Sequence, residues 1–584
     1  MSGLPAVFRV DKTTATHADA LKAAGLADLI QSVFDKPVEI RDDGPSFAII
    51  LPEPLGGGIQ RISHSPRYPW LRANADEAVP KGLSSIDISA EFARVKRWAE
   101  NRKKLSTSGN TNSELLQLVQ QDAPIPRWWI LAALTNSKLK ANATWNRVAQ
   151  EIANTPESQF GCQVEESLQS LICGKASAVR WSATSNGAFC PSQIKGFNEL
   201  KPQGTSRGSV PVDSFEEWLR YQGYWQLANL VSDSDNIRLY IPIPGRITSR
   251  SLGRLASRLE KERLLGCGPQ SDILAMIALA RLLIEHSREY HSPEADPDPE
   301  LTLPSGHTPA QIVSGIHVTH YTKTSQHAFG VQSTFSLALP GWFPIAGSED
   351  AKDWLGILSE HQRVVLGLQN DRSDEIGLLI GYRSFLQQRA ESALWALVEF
   401  MEEYGALVLR VNGLKHGNRT RWMTRFSCEY FRRVAMGMDR RLLEIVNDPG
   451  FEAVARAVRQ STVTAQNRKA RGGNVWREIR YELLHDIHRT RKVPGHALIE
   501  CISEFISRYN YENARQRETK SDAKAAPANV SDEEMKAFLG LIHQHGASVV
   551  GALLAAFGSC KEKWDGDEEA STPMREAGAH AKAV

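Results

Sequence analysis

Glu482, His485 and Asp486 share one face of a helix if REIRYELLHDIHRTR is helical, because residues at i, i+3 and i+4 project together. Two carboxylates and an imidazole in that arrangement, with His488 close by, are what a metal-dependent nuclease uses to hold a divalent cation. Charged groups at this spacing are also common on basic helices that merely face water, and that solvated face is the favoured reading. A second set of ligand-type residues, His317, His320 and His327, lies in GIHVTHYTKTSQHAFG. A strand there puts His317 and His320 on opposite faces, because their separation of three is odd. No carboxylate lies among the three, so no metal site is expected. In CGK, Lys175 could activate the Cys173 thiol, but nothing nearby supplies a base and an orienting group. A packed cysteine is expected instead. The chain has no Walker A pattern, no GxGxxG after a strand, no GxSxG elbow and no HExxH. The expectation is a protein that is not an enzyme and uses no cofactor.

Charge gives a clearer signal than catalytic chemistry. Arg410 to Lys492 holds 19 Lys and Arg against 8 Asp and Glu, a net of +11 in a chain whose total is +2, which leaves −9 elsewhere. Such asymmetry points to a polyanionic partner, with solvated helix faces as the plainer alternative. Two stretches concentrate it. KHGNRTRWMTRFSCEYFRR supplies Lys415, Arg419, Arg421 and Arg425. AQNRKARGGNVWREIRYE supplies Gln466, Asn467, Arg468, Lys469, Arg471 and Arg477. Cationic side chains neutralise phosphates and release counterions, and aromatic rings stack on unpaired bases. At i, i+4 and i+8, however, Trp422, Phe426 and Tyr430 read as the core stripe of a helix, which leaves the arginines as the surface. FEAVARAVRQSTVTAQNRKARGG begins as an amphipathic helix through Phe451, Val454, Ala455 and Val458, then loses its apolar stripe where the basic and amide side chains begin.

These groups need elements to position them. The first 105 residues read as mixed α/β. FRVDKTT and PSFAIILPEP are expected strands, THADALKAAGLADLIQSVF an expected helix between them, and Ser89–Leu105 a basic helix. EPLGGGIQRISHSPRYPW reads as a long loop carrying Gly57, Gln60, Arg61 and Arg67. In the middle of the chain, SFEEWLRYQGYWQLANLV reads as a helix pair or bent helix. NIRLYIPIP reads as a strand whose prolines put it at an edge or a strand end, and GIHVTHYTKTSQHAFGVQSTFSLALP as a hairpin. From about Asp350 nearly everything is helical, and Ser531 with Glu534 forms a capping box. The fold class expected is α+β, with a mixed α/β N-terminal part and a mainly α-helical C-terminal bundle. The expected domains are 1–105, 106–345 and 346–515, followed by a linker at 516–530, C-terminal helices at 531–560 and a disordered tail at 561–584.

Seven cysteines, an odd number without CxxC spacing, argue against a disulfide framework or a zinc ribbon, and a reducing cytoplasm fits them. MSGLPAVFRVDKTT lacks the pattern of a signal peptide. The apolar runs ILAMIALARLLI and ASVVGALLAAFGSC fall short of the ~20 residues of a membrane span and read as buried helices.

FEEWLRYQGYW with DNIRLYIPIP, then FEAVARAVRQSTVTAQNRKARG, then ISEFISRYNYENA, resemble the large-subunit family of type I CRISPR interference complexes (Cascade). The resemblance spans about residues 210 to 560 and includes no catalytic motif. It implies a subunit that binds near the 5′ end of CRISPR RNA beside the backbone subunits and reads a protospacer-adjacent motif in double-stranded DNA. It further implies help in opening the duplex, guidance of the displaced single strand and recruitment of the helicase-nuclease. Base pairing with the guide reads the sequence, so the protein needs shape contacts, a motif reader and a basic path. The loop with Gly57, Gln60, Arg61 and Arg67 is the candidate reader, because glycine permits close backbone approach to a groove.

Overall fold

The computed structural model describes residues 6–34, 37–52, 70–72, 85–107, 154–173, 189–191, 213–232, 235–262, 267–287, 303–325, 328–339, 345–388, 390–413, 422–439, 442–470, 477–493, 496–519 and 528–562, with a few single positions between them. The fold is α+β. It divides into two units, one from Met1–Cys267 and Leu274–Leu339, the other from Gly268–Ile273 and Pro340–Ala579.

Among the described residues, the first unit holds two four-stranded antiparallel sheets. Its described elements begin with β1 (Val7–Asp11), α1 (His17–Phe34), β2 (Glu39–Asp42) and β3 (Ser46–Ile50). β4 (Trp70–Arg72) and β5 (Ser85–Asp87) form a short parallel pair, followed by α2 (Ile88–Thr107) and α3 (Glu157–Cys173). Then come α4 (Ser214–Leu227), β6 (Asn229–Ser232), β7 (Asn236–Pro244), β8 (Arg246–Thr248), α5 (Ser249–Leu259), α6 (Pro269–Glu285), α7 (Pro309–Ile312), β9 (Val313–Ser325) and β10 (Ala328–Ala338). The first sheet runs β1-β3-β2-β8 and the second β10-β9-β7-β6. β1 alternates, with Phe8 and Val10 buried between exposed neighbours, as an edge strand with one wet face should. β3 is interior and its first four residues are all buried.

Helix α1 packs on both sheets and on α4. That packing depends on two glycines. A Cβ on Gly25 would lie 1.9 Å from the Leu219 carbonyl oxygen, and one on Gly223 would lie 2.0 Å from that of Leu21. Each helix therefore offers a bare backbone to the other, and no larger residue fits either position. His17 fixes the start of α1 through its Nδ1, 2.8 Å from the Thr319 hydroxyl on β9.

Several expectations change. The expected bent helix ends at Leu227, and Asn229–Ser232 is β6 instead. Asn229 donates to the Leu227 carbonyl at 3.1 Å, taking up a helix-terminal acceptor and releasing the chain into the sheet. β7 lies between β9 and β6, but β6 covers only Ile237–Tyr240. Pro242 and Pro244 pair with β9 alone, at the expected strand end, so no β6 acceptor depends on their missing N–H groups. The boundary expected near residue 105 is also crossed. β8 completes the sheet of β1–β3 through Ile40↔Ile247, and α4 packs on α1.

The second unit is helical: α8 (Ser348–Leu366), α9 (Ser373–Gln387), α10 (Ala390–Asn412), α11 (Cys428–Met438), α12 (Leu442–Val446), α13 (Pro449–Ser461), α14 (Val463–Ala470), α15 (Leu483–Arg491), α16 (Ala497–Thr519), α17 (Asp532–His545) and α18 (Ala547–Ser559). The expected stripe Leu394, Leu397, Phe400, Met401 and Tyr404 is buried along α10. α18 is buried from Val550 to its end, with α10, α13 and α15 packed on it. This is the apolar run that reads as a buried helix in the sequence, and Phe557 meets Phe431 and Phe451 with centroids 4.8 and 5.6 Å apart. Ser531 and Glu534 form the expected capping box.

The helices of 531–560 are part of this bundle rather than a separate segment, since α17 packs on α13 and α18 fills its centre. Both ends of the expected linker 516–530 carry structure. α16 runs to Thr519, and Asn510 bonds both backbone groups of Val530, at 2.8 and 3.0 Å. The first residue of the expected tail is structured: Lys561 exchanges backbone bonds with Phe426 and Cys428, at 2.8 Å each. Residues 563–584 lie outside the described residues. No helix among the described residues is long and apolar enough to cross a membrane.

Candidate nucleic-acid interface

The basic half of FEAVARAVRQSTVTAQNRKARGG is positioned by a break in the helix. α13 closes at Thr462, whose hydroxyl bonds back to the Val458 carbonyl at 2.7 Å and whose backbone leaves the helical region (φ −121°, ψ −100°). The Arg480 N–H donates to the Ser461 carbonyl at 2.9 Å, so the break leaves that acceptor satisfied. The chain resumes as α14, turned so that Val463, Ala465 and Gln466 are buried while Arg468 and Lys469 are exposed in its last turn.

Burial sorts the expected contact residues. Gln466 points inward, and its Nε2 donates to the Leu409 carbonyl at 2.6 Å, capping the end of α10. Arg477 is buried with its guanidinium 3.9 Å over the Tyr509 ring, and it donates to Ser461 Oγ at 3.0 Å and to Asn513. Burial lowers its pKa. Arg425 is buried in the segment 422–427. Gln466 and Arg477 are engaged within the bundle, and Arg425 is withdrawn from water. Asn467 is half-buried between them and the exposed Arg468 and Lys469. Lys415, Arg419, Arg421 and Arg471 lie outside the described residues, as do Gly57, Gln60, Arg61 and Arg67.

The helical stripe expected for Trp422, Phe426 and Tyr430 is a correction. Asn412 bonds both backbone groups of Met423, at 2.9 and 3.1 Å, and the Tyr404 hydroxyl donates to the Thr424 carbonyl at 2.5 Å. Those backbone groups are then lost to a helix, and α11 starts only at Cys428, with Ser427 as its cap. Phe426 is nonetheless in the core, beside His361, Phe400 and Tyr404.

α14 packs on α10, and their C-terminal ends meet. A Cβ on Gly413 would sit 3.0 Å from Tyr481 Cε1 and 3.1 Å from Gln466 Nε2. Gly413, Gln466 and Tyr481 are therefore neighbours, and Tyr481 is 44% exposed. Gly413 is the last described residue before the first basic stretch, and Arg468 and Lys469 of the second lie on α14. Lys415 follows Gly413 by two residues and Arg471 follows Ala470 by one, each peptide spanning at most about 3.8 Å. The sequence does not single out Tyr481; its only signal there is the alternation of Arg and Tyr in REIRYE.

The ligand-type groups are not gathered. Glu482 and His485 are exposed, Asp486 is 3.4 Å from Arg489, and His488 turns its Nδ1 to Glu402 at 2.8 Å. Glu402 is buried and also takes Arg491 through both oxygens, at 2.9 and 2.6 Å. His317 meets the Ser336 hydroxyl at 2.8 Å, and burial holds its pKa down to about 4. His320 bonds Asn236 Oδ1 on β7 at 3.0 Å, and His327 lies outside the described residues. Cys173 ends α3 and Lys175 lies outside the described residues. No group of three metal-ligating side chains occurs among the described residues. A cavity of about 170 Å³ in the first unit is lined by Lys12, Thr16, Asp19, Phe47 and His317, and its lysine is held by Asp42 at 2.6 Å. No family model and no curated protein matches the chain.

Proposed function

We propose that the chain is a non-catalytic, nucleic-acid-binding large subunit of a type I CRISPR RNA-guided surveillance complex. One observation carries the nucleic-acid part. Packing of α10 on α14 sets Gly413, two positions before the basic Lys415 in sequence, next to the exposed Tyr481 and next to Gln466 of the helix that carries the exposed Arg468 and Lys469. Cations grouped around an exposed aromatic suit a phosphate backbone with an unpaired base. The Cascade assignment rests on the sequence resemblance. With it come CRISPR RNA and the backbone subunits as partners, protospacer-adjacent motif reading, R-loop formation, recruitment of the helicase-nuclease and a cytoplasmic location.

Co-purification tests the proposal. The tagged protein should bring down repeat-derived CRISPR RNA with the backbone subunits. Ribosomal or messenger RNA alone would replace it with an unrelated RNA-binding scaffold. Plasmid cleavage with manganese that is lost in His485→Ala would replace it with a metal-dependent nuclease.

A further inference from the structure

Cys428 and Cys560 are 132 positions apart, and the fold brings them together. Cys428 opens α11, and Cys560 follows the last residue of α18. The Cys428 N–H donates to the Lys561 carbonyl at 2.8 Å, and the Lys561 N–H donates to the Phe426 carbonyl at 2.8 Å, so the two chain segments run paired at this point. The Cys428 thiol lies 3.9 Å from the Phe557 carbonyl oxygen, the acceptor that the Cys560 N–H reaches at 3.3 Å. The Cys560 thiol donates to the Ala556 carbonyl at 3.2 Å, so both thiols lie against the last turn of α18. Both are buried, Cys428 at 7% exposure and Cys560 at 0%.

We propose that Cys428 and Cys560 are a peroxide-responsive dithiol that closes to an intramolecular disulfide and ties the end of α18 to the start of α11. Cys428 is the attacking partner. It stands at the N-terminus of a helix, where partial positive charge favours thiolate. The neighbouring Cys560 thiol lowers its pKa, and Arg459 and Arg432 nearby act in the same direction. Burial raises the pKa of Cys560, which suits the resolving partner. The Cys428 thiolate attacks one oxygen of hydrogen peroxide, giving a sulfenic acid and hydroxide. Cys560 then attacks that sulfur, and its proton leaves with the departing oxygen as water. In sum, two thiols and one peroxide give one disulfide and two waters. Peroxide is small enough for a thiol of such limited exposure, and the paired backbone holds the second sulfur in place for the closing step.

The test uses the full-length folded protein. It is treated with hydrogen peroxide, quenched, unfolded in an alkylating reagent and digested for mass spectrometry. A peptide pair joined through Cys428 and Cys560 should appear, lighter by two hydrogens than the two thiol peptides. The alkylated Cys428 peptide should fall by about tenfold or more. In Cys560→Ser, dimedone should capture a sulfenic acid on Cys428. If both cysteines remain alkylatable at a peroxide dose that oxidises the exposed Cys162, the proposal is overturned. Sulfinic acid on Cys428 of the unaltered protein without the joined pair overturns it as well. The joined-peptide measurement requires no variant, so a misfolded substitution does not block the test.

Discussion

Gln466 Nε2 donates to the Leu409 carbonyl at 2.6 Å, so a side chain that sequence alone assigns to a phosphate backbone instead closes the C-terminus of α10. Its neighbours Arg468 and Lys469 are exposed on the same short helix. The two kinds of residue should separate in experiment. Gln466→Ala removes one of two donors to that carbonyl, which the Gly413 N–H still reaches at 3.1 Å, and should cost about 0.5–1.5 kcal/mol in urea unfolding. Arg468→Glu with Lys469→Glu should leave stability within about 0.5 kcal/mol. The charge reversal should weaken nucleic-acid binding almost equally across sequences. It should also flatten the plot of log K against log salt by about 0.7–0.9 for each phosphate that is no longer neutralised. An unchanged salt slope would show that neither side chain meets a phosphate.

The α1–α4 crossing should be the least tolerant place in the first unit. Gly25→Ala or Gly223→Ala drives a methyl group onto carbonyl oxygens at about 2 Å. Backbone cannot yield as a side chain can, so the helices must part. We expect a loss of more than about 3 kcal/mol, or no soluble protein. Circular dichroism with thermal melting reads this directly. A Gly223→Ala protein melting within a degree of the unaltered chain would contradict the close approach.

Glu360 and His361 adjoin on α8 and titrate in opposite senses. Burial raises the Glu360 pKa to about 8 from an ordinary 4.5, against the lowering effect of the Ser427 N–H bond at 2.9 Å. Burial lowers the His361 pKa to about 3 from an ordinary 6.5. The folded state thus holds the Glu360 proton longer than the unfolded chain does, so this group's contribution is full below 4.5 and lost as pH rises to about 8. The His361 contribution is full above 6.5 and lost as pH falls toward about 3. Between 4.5 and 6.5 the two slopes cancel. Stability of the helical unit should rise into that window, level off, and fall above it by up to about 1.4 kcal/mol per pH unit. Glu360→Gln, which retains an acceptor for Ser427, should abolish the fall. Urea unfolding from about pH 3 to about pH 9 checks the rise and the fall.

Glu402 holds Arg491 through two bonds in the interior of the bundle, with His488 on the same carboxylate. Glu402→Ala leaves a buried guanidinium without its carboxylate and should cost about 3–5 kcal/mol. Glu402→Gln keeps the shape and one acceptor and should cost less. Equal losses from the two variants in urea unfolding would mean that packing, not charge, dominates there.

How far the sequence can be read depends on the distance over which each feature is determined. Helices α1, α10, α16 and α18 show in their periodicity or apolar runs, because a helix closes its own hydrogen bonds within the segment. β6 does not show, since NLVS becomes a strand only when β7 is beside it, and the aromatic helix before it masks the change. The break at Thr462 is likewise invisible, because it depends on the Arg480 N–H arriving from later in the chain to bond Ser461. In the interface, charge names the right neighbourhood. It cannot tell Arg477, stacked on Tyr509, from Arg468 in water, because that difference lies in where α16 passes.

The burial of α18 also has a consequence in time. Ribosomes deliver a chain from its N-terminus, and the helix around which α10, α13 and α15 close is the final one among the described residues. Those three helices must wait, with Leu397, Val458 and Leu484 uncovered, until residues near 560 emerge. The helical unit therefore forms late and all together, and its nascent state is the one most in need of a chaperone.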